Sequence, residues 1–121
     1  MAEYAPHYFP ADKLGLTTSA TVTAGQVVRA SGDQTVAPVS AAASGVLGVA
    51  AHDAASGARV VVYTVGVFEV AASGAISAGS AVVGATGGAV AAFDDETHTG
   101  DQIVGYALAA AANSKVLIKL R

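Results

Sequence analysis

The residues with the clearest potential for chemistry form an acidic cluster at positions 94–101, which contains Asp94, Asp95, Glu96, His98 and Asp101. Carboxylate oxygens are the ligands that a hard cation such as Ca²⁺ prefers. The spacing does not match a calcium-binding helix–loop–helix motif, in which alternating acidic residues and a glycine precede a distal glutamate. A run of like charges is typical of a solvated segment. We therefore expect a solvated loop between a strand that ends at Phe93 and one that begins at Ile103, and no metal site.

A second candidate is the pair His52-Asp53, which has Ser44 and Ser56 close to it in sequence. A serine, a histidine and a carboxylate can act as a nucleophilic relay when their side chains are hydrogen-bonded in turn. Adjacent residues of a strand point to opposite faces, so His52 and Asp53 are badly placed for such a relay. The three histidines of the chain lie on separate segments without metal-ligand spacing. We predict no catalytic residue, no metal and no cofactor, and we do not expect an enzyme.

Two glycine-containing patterns are typical of other functions but lack the residue that would carry them out. The segment Gly84-Ala-Thr-Gly-Gly88 has no Lys-Ser/Thr pair to cradle a phosphate and no helix pattern after it, so we predict a hairpin turn. The segment Ala24-Gly-Gln-Val-Val28 is similar to turns of lipoyl and biotinyl carrier barrels. Such a carrier needs a modifiable lysine between its halves, and no lysine lies between Lys13 and Lys115.

Composition excludes several further classes of function. The 121-residue chain has six basic and nine acidic side chains, a net charge of −3 and no cysteine. The basic residues are scattered, so no positive stripe exists to neutralise phosphates, and nucleic acid is not an expected partner. Residues 1–13 contain no apolar signal-peptide core, and no apolar run reaches the roughly 18 residues of a membrane helix. We therefore expect synthesis in the cytoplasm and no membrane partner.

The first sixteen residues differ in composition from the rest of the chain. They contain the aromatic residues Tyr4, Tyr8 and Phe9 and two prolines, Pro6 and Pro10. Prolines four residues apart are incompatible with a regular helix and favour extended conformations. We interpret residues 1–16 as an extended N-terminal arm with aromatic anchors, followed by a single β domain at residues 17–121.

The pattern of the β domain is all-β, with short β-branched runs between Gly/Ser/Asp turns at roughly ten-residue spacing. Such spacing is typical of a small β-barrel or β-sandwich. The predicted strands lie at 26–30, 34–39, 45–51, 59–65, 66–70, 81–85, 88–93, 103–108 and 115–120. The alanine-rich segment 107–112 is predicted as a strand running into a turn, with one helical turn at 109–113.

The chain also repeats itself. The segment at 23–28 is echoed at 77–83, and the segments at 46–51 and 59–62 are echoed at 103–108 and 115–118. This order predicts an internal duplication, with two similar β-units at about 17–70 and 71–121. The apolar fraction is 53%, but much of it is alanine, which buries little surface. A thin core favours further burial against partners.

Two blocks in the middle of the chain align with a known family. The first is Gly45-Val-Leu-Gly-Val-Ala-Ala-His-Asp53, and the second has Tyr63, Gly66 and Phe68 at Tyr-x-x-Gly-x-Phe spacing. In this order, with a short gap, they resemble the capsid decoration (cement) proteins of tailed phages, including head decoration proteins of the phage lambda type. The segment after Phe68 is Ala/Gly/Ser-rich and lacks the Trp-Pro segment of the lambda type. The second β-unit is closer to the other cement proteins.

This resemblance implies a structural protein that binds the outside of the expanded phage head as trimers at three-fold positions. It would stabilise the head against internal DNA pressure, with the major capsid protein and copies of itself as partners. Its location would be the capsid exterior of the virion, after synthesis in the host cytoplasm. The residues that we expect at capsid or subunit interfaces are Tyr4, Pro6, Tyr8, Phe9, Pro10, Arg59 and Phe68.

Two alternatives stay open at this point. A small cytoplasmic β-barrel that binds a ligand would need a pocket with convergent polar groups, and the chain offers few of these outside 94–101. A surface fibre or adhesin subunit would usually carry an export signal. Saturable binding to capsids would indicate a decoration protein, whereas ligand-dependent stabilisation would indicate a binding barrel.

Overall fold

The computed structural model describes residues 13–121, and these residues are almost entirely β. The predicted arm residues Tyr4, Pro6, Tyr8, Phe9 and Pro10 lie outside the described residues. The strands of the described part are β1 (Lys13–Thr18), β2 (Val27–Gly32), β3 (Thr35–Pro38), β4 (Val46–Ala50), β5 (Arg59–Tyr63), β6 (Val67–Ala71), β7 (Ala81–Ala85), β8 (Ala89–Ala92), β9 (Ile103–Ala107) and β10 (Lys115–Leu120). Short 3₁₀ turns at Thr86–Gly88 and Gly100–Gln102 precede β8 and β9. The all-β prediction is confirmed.

Nine of the ten strands coincide with predicted ones, and β1 does not. Residues 13–16 were predicted as part of the arm, but Leu14 and Leu16 pair with Val62 and Val60 of β5. The pairing joins segments more than forty residues apart, so the local sequence around Gly15 does not reveal it. Residues 13–16 therefore belong to the β domain and not to the arm.

The first five strands form a closed barrel in the order β1-β3-β2-β4-β5, which we call unit 1. Strand β1 closes it by pairing antiparallel with β5 and parallel with β3, where Thr18 lies opposite Val36. The last five strands form a sheet in the order β6-β10-β9-β7-β8, which we call unit 2. A single parallel bridge between Ala72 and Val90 brings its two edges together. When this bridge is counted as a contact between β6 and β8, equivalent strands are neighbours in the two units.

The pairing registers of the strands match residue by residue between the two units. Val28 pairs with Pro38 in unit 1, and Val82 pairs with Ala92 in unit 2, each 54 residues later. A register shift follows Val28 in the β2–β4 pair, and another follows Val82 in the β7–β9 pair. The internal duplication predicted from the sequence is thus a property of the fold. The boundary between the units lies at 64–66 rather than at 70–71, because β6 pairs with β10.

The interiors of the two units use equivalent apolar positions. Eight apolar positions of unit 1 each have an equivalent in unit 2. In seven of these pairs both residues are buried, and in the eighth Ala111 is half-buried. The equivalent pairs are Leu16 with Val70, Val22 with Ile76, Val28 with Val82, Val36 with Val90, Ala50 with Ala107, Ala54 with Ala111, Val60 with Val116 and Val62 with Ile118. Each unit therefore has its own small aliphatic core.

Unit 1 packs against unit 2 through one side of β2 and β4. Val27, Val39 and Val49 are buried and belong to the apolar cluster of unit 2, whereas their strand neighbours face the interior of unit 1. The Gln26 side chain donates from Nε2 to the Gly87 carbonyl oxygen at 3.0 Å, and the Gly88 amide donates to the Val39 carbonyl oxygen at 2.9 Å. Glycine is needed at position 88, since its φ is +76° and a Cβ would lie 2.6 Å from Gln26 Cβ.

The alanine-rich segment after β9 contains no helical turn, so that part of the prediction is wrong. The Ala111 amide donates to the Ile76 carbonyl oxygen, and Ala112 and Lys115 exchange backbone hydrogen bonds across a turn. Asn113 and Ser114 have positive φ values there. The tertiary contact with Ile76 and the tight turn into β10 outweigh the helix propensity of alanine.

Candidate functional site

Arg59 and Phe68 are the two predicted interface residues that lie within the described part of the chain. Arg59 begins β5 on the outside of unit 1, and its guanidinium lies 3.2 Å from where a Cβ of Gly15 would be. Phe68 is half-buried, packs against the unit 2 core and stacks on Tyr63 with ring centroids 5.4 Å apart. The structure thus brings Phe68 to the junction of the units and leaves Arg59 on the unit 1 surface. Their role at an interface stays a prediction.

The acidic segment 94–101 forms a loop between β8 and β9 that is folded on itself. The Asp94 carboxylate accepts the Glu96 amide at 3.0 Å, and Asp101 accepts the hydroxyl of Thr99. His98 Nδ1 accepts the Asp94 amide at 2.9 Å. Within residues 13–121, no group of three or more His, Asp or Glu side chains is arranged to hold a metal ion.

The residues His52 and Asp53 do not form an acid–base relay. His52 Nδ1 lies 3.0 Å from the backbone carbonyl oxygen of Asp53, not from its carboxylate. The carboxylate instead accepts the Ala24 amide at 2.8 Å and so ties two loops of unit 1 together. The segment 84–88 is the predicted hairpin turn, joining β7 to β8 through Gly87 and Gly88 at positive φ.

A cleft of about 250 Å³ lies between the two units, lined by β4 and Thr64 on one side and by β9 and the C-terminal residues on the other. Its charged side chains are Asp101 and Arg121. The Asp101 carboxylate accepts a hydrogen bond from the Thr99 hydroxyl, and the Arg121 guanidinium donates to the Gly100 carbonyl oxygen. Both charged groups are therefore engaged within the chain, which disfavours the ligand-binding alternative.

The outer side of unit 2 presents an apolar surface at the strands β6, β10 and β9. Lys119 of β10 lies opposite both Val67 of β6 and Tyr106 of β9, so these three side chains form one row. In the next row Leu117 lies opposite Glu69, and the Leu108 amide donates to the Leu117 carbonyl oxygen. We call this surface the apolar face and define it by Val67, Glu69, Tyr106, Leu108, Lys115, Leu117 and Lys119.

The apolar face is unusual because its large side chains stay accessible to water. Val67, Tyr106 and Leu108 are 49%, 44% and 50% exposed, and Leu117 is 39% exposed. Val65, which is 59% exposed, precedes the face. All other large hydrophobic side chains of residues 13–121 are less exposed than these five. A cluster of large exposed apolar side chains is typical of an interaction site.

The equivalent surface of unit 1 is different. Leu117 corresponds to Val61, which is half-buried and lies beside the His52 ring. Glu69 corresponds to Gly15, over which the Arg59 side chain lies. This side of unit 1 is therefore covered by its own polar and basic side chains.

Sequence reasoning missed the apolar face because leucine and tyrosine in short strands suggest a core. A signal was nevertheless present in Lys115-Val-Leu-Ile-Lys-Leu120. Alternation places Leu117 on the same side as two lysines, opposite the face that carries Val116 and Ile118. A leucine between lysines on a solvent-facing side indicates an exposed apolar position.

The sequence matches the family model described as phage cement protein over residues 10–121. The chain belongs to this family, which makes it a capsid-associated structural protein of a phage, as its resemblance to decoration proteins implied. The match covers the whole of the described region, including both units.

Comparison with solved structures shows the same fold in a second phage protein. The chain is similar to the crystal structure of the head fiber gp8.5 N base in bacteriophage phi29, with a TM-score of 0.68 and 19% sequence identity. The similarity covers 90% of this chain and 92% of that chain. Comparison with curated protein sequences gives no match. Among residues 13–121 no helix has the length and apolar character needed to cross a membrane.

Proposed function

We propose that this member of the phage cement protein family binds the outside of the expanded head as trimers at three-fold positions and stabilises the shell against the pressure of packaged DNA. The observation that carries the proposal is the exposed apolar face on a chain whose family consists of cement proteins. An isolated small domain gains nothing from keeping Tyr106, Leu108 and Leu117 in water, whereas an assembling protein buries them.

The energetic argument concerns differential binding. A protein that binds the expanded lattice but not its unexpanded or dissociated form stabilises that lattice by RT ln(1 + [L]/Kd) at each site. Trimeric attachment strengthens the effect, because the second and third contacts form at high effective concentration. Weak contacts by each copy are thus sufficient to fasten the joints between capsomers.

In this proposal, the aromatic and proline residues of the N-terminal segment, together with Arg59 and Phe68, contact a partner. The partners are the major capsid protein and further copies of this chain. Burial of a side chain of the size of leucine contributes about 1.5–3 kcal/mol relative to full exposure. The four large apolar side chains of the face (Val67, Tyr106, Leu108 and Leu117) are between 39% and 50% exposed, so we assign about 1 kcal/mol to each on assembly.

The test is co-sedimentation of the purified protein with undecorated expanded heads and with unexpanded proheads of the same phage. We expect saturable binding to expanded heads, at about three copies per three-fold position, and little binding to proheads. The decorated heads should also lose DNA at a higher temperature than undecorated ones. Absence of binding to both forms, or equal binding to both, would contradict the proposal.

A further inference from the structure

We propose that residues 1–12 of one copy dock on the apolar face of a neighbouring copy. This inference rests on the trimer of the proposed function and names the segment that covers the face within it. Three observations support it: the distribution of exposed apolar side chains, the position of the first described residue, and the charges of the segment and of the face.

The first observation is that the face has no apolar counterpart elsewhere in residues 13–121, where the large exposed hydrophobic side chains lie on the face or next to it. A cyclic trimer joins two different surfaces of each copy, in a head-to-tail manner. One copy must therefore offer the face of its neighbour a second apolar surface. The remaining part of the chain, residues 1–12, contains Tyr4, Tyr8 and Phe9.

The second observation is where the described chain begins. Lys13 lies opposite Tyr63, the last residue of β5, and the Tyr63 ring stacks on Phe68, next to Val67 of the apolar face. The first described residue, Lys13, therefore lies beside the face of its own copy. Twelve residues span at most about 40 Å when extended, and three strands cover only about 10 Å across. Twelve residues are thus several times longer than the face is wide, which leaves part of the segment to reach an adjacent copy.

The third observation is charge. Residues 1–12 contain Glu3 and Asp12 and no lysine or arginine. The apolar face contains Lys115 and Lys119 against a single carboxylate, Glu69. An acidic, aromatic segment and a basic, apolar face are complementary, which selects this pairing over contact between two copies of the same face.

The experiment uses the absence of cysteine from the full chain, which makes introduced cysteines unambiguous reporters. One variant carries Tyr8→Cys and a second carries Leu117→Cys, with Tyr4→Cys and Phe9→Cys tested in parallel. The two proteins are mixed, oxidised in solution and again after binding to expanded heads, and resolved without reductant. A disulfide forms only where the two Cα atoms come within about 7 Å. The control replaces Leu117→Cys by Thr21→Cys, a position on the unit 1 surface that is also exposed.

We expect a species of twice the chain mass in the mixture of arm and face variants, at least about tenfold above the Thr21→Cys control. A chain with both Tyr8→Cys and Leu117→Cys should likewise form links between copies. Only intrachain disulfides in that double variant, seen as a mass loss without dimer, would overturn the proposal in favour of docking within one copy. Absence of any disulfide above the control would overturn it in favour of another partner for residues 1–12. Head binding is measured on the same samples, so failure of the disulfide with intact binding contradicts this inference alone.

Discussion

Unit 1 and unit 2 share a strand order, registers and interior residues, but they differ on the outside. In unit 1 the side formed by β1, β5 and β4 is covered by Arg59 and the His52 ring or packed against unit 2. In unit 2 the equivalent side exposes Tyr106, Leu108 and Leu117. In the proposed assembly, this side is used within the chain in unit 1 and for binding a partner in unit 2.

This difference separates the requirements of folding from those of assembly. Positions that face the two interiors are aliphatic in both units, because each unit must bury its own core. Outward positions of the two units have diverged in size and polarity. Substitutions inside the units should therefore have equivalent effects in both, whereas substitutions on the apolar face should affect assembly and leave the fold intact.

The largest effect is expected at two equivalent glycines, Gly48 in β4 and Gly105 in β9. A Cβ at these positions would lie 1.8 Å from the Tyr63 carbonyl oxygen and 2.1 Å from the Lys119 carbonyl oxygen. Both oxygens belong to the backbone of a paired strand and cannot rotate away. Gly48→Ala and Gly105→Ala should each lower the free energy of unfolding by about 3 kcal/mol or more, measured by urea denaturation.

The control is Gly100→Ala, because no atom lies within 4 Å of a Cβ there. Its effect should stay within about 0.5 kcal/mol. If one of the two strand glycines tolerated alanine and the other did not, the equivalence of the β4 and β9 positions would be refuted.

A second pair of variants compares neighbouring residues on opposite sides of β10. Ile118 is fully buried, and Leu117 is 39% exposed. Ile118→Ala should cost about 2–5 kcal/mol of stability, whereas Leu117→Ala should cost less than about 1 kcal/mol. Among folded molecules, Leu117→Ala should weaken head binding more than Ile118→Ala does. We expect Leu117→Ala to lower the affinity for expanded heads about fivefold, the equivalent of ~1 kcal/mol. A Leu117→Ala protein that is stable and binds heads with unchanged affinity would exclude Leu117 from the contact.

A third pair measures how tightly the units are joined. Gly87 and Gly88 both have φ near +75°, so alanine at either position carries a similar backbone strain of about 1 kcal/mol. Only at position 88 would the new Cβ also meet Gln26, at 2.6 Å. Gly88→Ala should therefore destabilise the protein by about 1–2 kcal/mol more than Gly87→Ala, as measured by thermal unfolding. Equal effects would show that the junction can relax around residue 88.

Much of this fold was readable from the sequence, since nine strands and the duplication follow from β-branched runs, turn residues and repeated segments. Strand β1 was not, because its pairing with β5 is remote in sequence and Gly15 interrupts its pattern. The helical turn at 109–113 failed for a related reason, since a contact with Ile76 determines the backbone there. Local propensity describes such segments poorly when distant partners decide their conformation.

The candidate site was harder to predict than the fold. Family resemblance gave the role as a cement protein, which the family match confirms. The apolar face, however, is a property of three strands that are adjacent only after folding: Val67, Lys119 and Tyr106 come together in one row from separate segments. Only at Leu117 does the local alternation with lysines indicate an exposed position, so residue types alone could not separate surface from core.

The most direct measurement is hydroxyl-radical footprinting of the protein free in solution and bound to expanded heads. Tyr106 and Leu117 of unit 2 are compared with Val61, which is the unit 1 equivalent of Leu117. We predict that labelling of Tyr106 and Leu117 falls severalfold in the decorated heads, while labelling of Val61 stays unchanged. If Tyr106 and Leu117 were labelled equally in both states, the apolar face would not be the surface through which this protein assembles.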